Sequence, residues 1–205
     1  MYFALVFYPQ LDSGLMEGIN DIRRKYDPTV EWSETHIAVI FPVPDTVGEG
    51  KLISHIERVL SNWEPFMVHL GGFSKSHDHW LFLNVEDGEA EFKVLYRDLY
   101  TGILEEYRWD DIGFVPHVGL GLFVKDASRY DWNHPHEADF DRQKYEEALQ
   151  QAKALPLDSS CMMDKLNLVG IPDEVLEWAT GKRARIPNDT RIIELREFCL
   201  VDQGA

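Results

Sequence analysis

The chain has 205 residues, 44% of them apolar and 12% aromatic, a globular composition with enough material for a sizeable core. Its formal net charge is −16, with acidic clusters at residues 86–91 and 105–111. A field of that sign repels a polyphosphate chain, so extended nucleic-acid binding is not expected, although a small phosphorylated ligand in a local pocket remains compatible.

No apolar run approaches the roughly 18 residues of a membrane span, and MYFALVFYPQ lacks the basic start of a signal peptide. FALVFYP (residues 3–9) reads instead as a first strand ended by proline. In LDSGLMEGINDIRRKYDP, Leu15, Ile19 and Ile22 recur at helical spacing, with Asp12 or Ser13 as cap. A strand over residues 35–43 precedes a helix over 50–64, whose stripe is Leu52, Ile56, Val59 and Leu60. Strands follow at 66–76 and 79–86, then helical periodicity over 89–104. FVPHVGLGLFVKD (residues 114–126) is the next strand, followed by an aromatic, histidine-rich loop over 127–139. A polar helix spans 141–155, and MDKLNLVGI and TRIIELREFCL are late strands joined by a connection with proline at each end. No linker marks a boundary. The pattern predicts an α+β protein, residues 1–205 forming one domain of two similar lobes. With only Cys161 and Cys199, both read as buried small residues, a disulfide framework is not expected and a cytoplasmic location is.

A repeat carries the functional signal. HIAVIFPVPD, from His36, aligns with HVGLGLFVKD, from His117, 81 residues later. Strand alternation places Val118, Leu120, Leu122 and Val124 on the core face, with His117, Gly119 and Gly121 opposite. His36 shares its face with Ala38. Each histidine thus stands beside a face of minimal side chains, where a ligand can approach the backbone. Two facing imidazoles suit phosphodiester chemistry, one taking a proton while the other gives one.

These motifs, with the N-terminal strand and the late strands KLNLVGI and TRIIELREFCL, resemble the 2H phosphoesterase superfamily of LigT-like 2′-5′ RNA ligases and cyclic phosphodiesterases. The resemblance implies two pseudo-symmetric α/β lobes with antiparallel sheets around a central cleft. It also implies metal-independent opening of a small cyclic phosphoester or an oligonucleotide 2′,3′-cyclic phosphate end, with no cofactor. His36 and His117 fill its catalytic positions; His117 is taken as base and His36 as acid, an order that the sequence does not fix. The family's phosphate-binding hydroxyls, two residues after each histidine, are replaced here by Ala38 and Gly119. Backbone groups beside Gly119 and Gly121, or Ser74, Lys75 and Ser76, are candidates to compensate. Thr35 points to the wrong face if the strand is regular. Tyr130 and Trp132 could stack on a base. A non-catalytic phosphate or nucleotide binder on the same fold is the alternative. The pairs His77/His79 and His134/His136, with Asp78, Asp139 and Asp141, are a weaker candidate metal set.

Overall fold

The computed structural model describes residues 1–109, 113–134 and 138–201. In chain order the elements are β1 (Tyr2–Phe7), α1 (Ser13–Tyr26), β2 (Ile37–Pro44), α2 (Glu49–Leu60), β3 (Phe66–Lys75), β4 (Trp80–Asp87), α3 (Glu89–Leu99) and β5 (His117–Leu122). They continue with α4 (Arg142–Ala152), β6 (Ser160–Met163), β7 (Lys165–Ile171), α5 (Asp173–Ala179) and β8 (Ile193–Cys199). The protein is α+β, with two four-stranded antiparallel sheets ordered β2-β1-β7-β8 and β5-β4-β3-β6. Among the described residues no helix is long and apolar enough to cross a membrane.

β1 explains the first sheet. Its interior position buries both faces, so Phe3–Phe7 read as an unbroken apolar run. Phe3, Leu5 and Phe7 enter the main core, whereas Ala4 and Val6 enter a second cluster on the opposite face. The main core is continuous across both sheets and takes in the apolar stripes of α1, α2 and α3, including Ile19, Ile56 and Leu95. Fully burying such a side chain contributes about 1.5–3 kcal/mol. β8, by contrast, is an edge strand whose exposed charges, Glu194 and Glu197 among them, discourage pairing with another chain.

Several elements depart from the sequence reading. The helix expected through residue 104 ends at Leu99, and a 3₁₀ turn (Gly102–Tyr107) follows, entered at Gly102 with φ +55°. MDKLNLVGI is not one strand. β6 pairs with β3 and β7 with β1, so the chain passes from one sheet to the other at Asp164. The proline-bounded connection contains α5.

β5 holds the main correction. Leu81 faces Gly121 while Phe82 faces Gly119, so Leu120 is an extra residue in a bulge. Alternation reverses there. Val118 and Leu120 join the main core, but Leu122 and Val124 lie in a separate cluster with Tyr130 and Trp178. Phe123 goes to the main core instead. The continuous apolar face expected from Val118 to Val124 does not exist.

Candidate functional site

β2 and β5 are edge strands of different sheets that lie against each other. Each is entered by a half-buried histidine. The His36 Nδ1 lies 2.7 Å from the Glu34 carbonyl oxygen, and the His117 Nδ1 lies 2.6 Å from that of Val115. A carbonyl only accepts, so each Nδ1 carries the proton and donates it two residues back along the chain. The same local hydrogen bond thus fixes both rings in the tautomer that leaves Nε2 with a lone pair. Neither Nε2 has a protein partner among the described residues.

The approach to His36 is held by a buried polar network. Arg23 donates from Nε to Asp27 at 2.8 Å, from Nη1 to the Thr35 hydroxyl at 3.1 Å and from Nη2 to the Ser33 carbonyl at 2.6 Å. Thr35 in turn donates to Asn20 at 2.9 Å, which keeps its hydroxyl away from the histidine face. The Ser33 hydroxyl sits 3.2 Å from His36 Nδ1. Burial pulls the His36 pKa below its ordinary 6.5, helped by the Arg23 charge and opposed by the Glu34 hydrogen bond and Asp27.

His117 lies flat on Phe82, with ring centroids 3.4 Å apart, and stands opposite Asn84 in the β4–β5 register. Its pKa is pulled down to about 4, first by burial. The Val115 hydrogen bond and Asp78 oppose this, whereas the charge of His36 adds to it. Trp80, Phe82 and Asn84 alternate along β4 with the buried Leu81, Leu83 and Val85. That alternation is visible in WLFLNV and was the available signal for these three residues.

The remaining candidates divide. Gly119 lies under the Trp80 ring, where an added Cβ would be 3.6 Å from the indole. The Ser74 hydroxyl donates to Asn84 at 2.8 Å, one residue across from His117. Ala38, like Tyr8, Trp32 and Trp132, packs against the second apolar cluster. Gly121 does not line the cleft, because the bulge turns it toward α1, where an added Cβ would be 2.6 Å from that of Tyr26. Ser76 closes the β3–β4 turn by accepting from the Trp80 backbone N–H at 2.8 Å. Lys75 donates to the Ser76 carbonyl at 2.9 Å and lies over Phe140, so it is turned away from the pair. Tyr130 is buried and donates to Asp78 at 2.9 Å, while Trp80 Nε1 donates to it at 3.3 Å. It anchors its loop and offers no free ring face. Trp132 is half-buried and meets Trp109 edge-on at 5.7 Å.

The metal set is not assembled. His77 and His79 sit in a turn, with His79 at φ +73° and stacked on Phe140. His134 Nδ1 pairs with Asp131 at 2.9 Å, and His136 lies outside the described residues. Among the described residues no three His, Cys, Asp or Glu side chains converge as a metal site needs.

A sequence profile of the 2′-5′ RNA ligase superfamily matches residues 11–171. The chain belongs to this superfamily. No curated protein matches it in sequence. Among solved structures, E. coli LigT in complex with 3′-AMP is 15% identical, with TM-score 0.56 over 98% of this chain and 100% of that one. E. coli LigT in complex with phosphate gives 14% identity and TM-score 0.53, covering 98% of each chain. A protein described as a phosphoesterase gives 12% and 0.55, covering 98% of this chain and 99% of that one. At these identities the superfamily members share the fold. The fold alone is carried over from them.

Proposed function

We propose that His36 and His117 form the acid–base pair of a phosphoesterase that opens a small 2′,3′-cyclic phosphoester. The observation that carries this reading is the matched pair of Nδ1–carbonyl hydrogen bonds, which leaves both Nε2 atoms for proton exchange. In the step, His117 Nε2 takes a proton from water as the new oxygen–phosphorus bond forms. The bond from phosphorus to the ribose oxygen breaks, and protonated His36 delivers its Nε2 proton to that oxygen. The two imidazoles supply both proton transfers. The phosphoryl charge supports the proton that His36 must carry, against the burial and the Arg23 charge that depress its pKa in the free protein.

The test is hydrolysis of 2′,3′-cyclic nucleotides in excess chelator. Wild type turns over, and His36→Ala and His117→Ala each lose about 10²–10⁴ in kcat. Equal rates for wild type and the double variant would remove the catalytic reading. Because both free imidazoles have depressed pKa values, kcat/KM is expected to peak on the acid side of pH 6.5. A peak near pH 8 would contradict the assignment.

One observation favours a second reading, a non-catalytic phosphate or nucleotide binder. Ala38, at the position of a family hydroxyl, is packed against an apolar cluster that includes Val6 and Val169. Calorimetric titration with cyclic and linear nucleotides separates the two readings, since tight binding without turnover selects the binder.

A further inference from the structure

Between the end of β1, helix α1 and residues 30–35 lies a pocket of about 340 Å³, lined among others by Tyr8, Asn20, Arg24, Glu31, Ser33 and Glu34. That is within the size range of small-ligand sites. It adjoins the candidate site at Glu34, whose carbonyl holds His36 Nδ1. Phe7 pairs with Ile37 at the end of the β1–β2 ladder, so Tyr8 leaves β1 at the same end of the sheet at which His36 enters β2. The Tyr8 hydroxyl has no hydrogen bond among the described residues. Burial, with Glu34 and Glu194, pushes its pKa up to about 12, so it remains an O–H donor.

The charges of the pocket are unequal. Arg23 is neutralised by Asp27, and Arg24 pairs with Asp21. Glu31 and Glu34 have no ion-pair partner among the described residues. A second phosphate entering here would meet two carboxylates, whereas hydroxyl and amino groups would find acceptors in the carboxylates and a donor in Tyr8.

We infer that this pocket is a subsite for an uncharged, hydroxyl-bearing group, a nucleoside without a further phosphate, joined to the phosphoryl group held between His36 and His117. The inference rests on the phosphoesterase reading and narrows it to mononucleoside cyclic phosphates over oligonucleotide ends. Tyr8 is a binding residue here, not a catalytic one.

The experiment compares adenosine 2′,3′-cyclic phosphate with the same compound carrying a 5′-phosphate. Wild type is expected to prefer the first by about tenfold in kcat/KM, the size of one partly screened charge repulsion. Glu31→Gln with Glu34→Gln should reduce that preference several-fold. Tyr8→Phe, which keeps the ring, should raise KM by about three- to tenfold with kcat within twofold. Equal use of both compounds by wild type, or a preference unchanged in the Glu31/Glu34 double variant, overturns the subsite and leaves the phosphoesterase reading standing. Absence of turnover of both compounds by wild type overturns the two together.

Discussion

A Cβ built on Gly121 would lie 2.6 Å from the Tyr26 Cβ and 3.0 Å from its carbonyl oxygen, whereas one on Gly119 would meet only the Trp80 ring, at 3.6 Å. Gly121 is therefore a packing glycine that lets α1 approach β5. Gly121→Ala is expected to destabilise the fold by about 1–3 kcal/mol, measured by chemical unfolding. Gly119 has room for a side chain at ordinary contact distance. Gly119→Ser combined with Ala38→Ser would restore a hydroxyl two residues after each histidine. One preorganised donor is worth about 10²–10³ in rate, so a rise of at least tenfold in kcat is expected. No rise would mean that other groups already hold the phosphoryl oxygens. The sequence could not separate the two glycines. Alternation in HVGLGL assigns them one face, and the bulge at Leu120 that parts them is set by pairing with β4, a partner distant in the chain.

At the scale of elements, the arginines in RRKYD show how little a local pattern says about burial. Arg23 and Asp27 are a buried pair at i,i+4, while Arg24 pairs with Asp21 in solvent. What selects Arg23 is its place on the inward face of α1 together with Ile19 and Ile22. Asp27→Asn leaves the Arg23 charge uncompensated and should cost about 3–5 kcal/mol in urea unfolding. It should also loosen residues 33–35 and thereby His36, so kcat falls along with stability. A loss below 1 kcal/mol would show the pair to be solvated. β1, β4, α1 and α2 were legible from their periods because each buries one or both faces in a regular way. α5 was not, since seven residues between prolines are too few to display a helical period. The neighbours of the histidines were half legible. Trp80, Phe82 and Asn84 are written in the alternation of β4, but Tyr8 depends on a cross-strand register.

For the whole molecule, His117 links acidity to stability. Its pKa is about 4 in the folded protein against an ordinary 6.5. Below pH 6.5 the unfolded chain binds a proton that the folded one refuses until about pH 4, so stability falls as pH drops through that window and is constant above it for this group. The depression corresponds to roughly 3 kcal/mol across the window. Urea unfolding at pH 7 and pH 4.5 should therefore show a smaller acid loss for His117→Gln than for wild type, and identical losses would refute the buried neutral histidine. The passage of the chain between sheets at Asp164 bears on motion. A single residue separates β6 from β7, and one apolar core runs beneath both sheets. Joined by one residue and one core, the two sheets are expected to move as a single body, with the spacing of β2 and β5 unchanged. The radius of gyration in solution scattering should therefore not change when a phosphorylated ligand is added, and a clear contraction would show that the sheets do move.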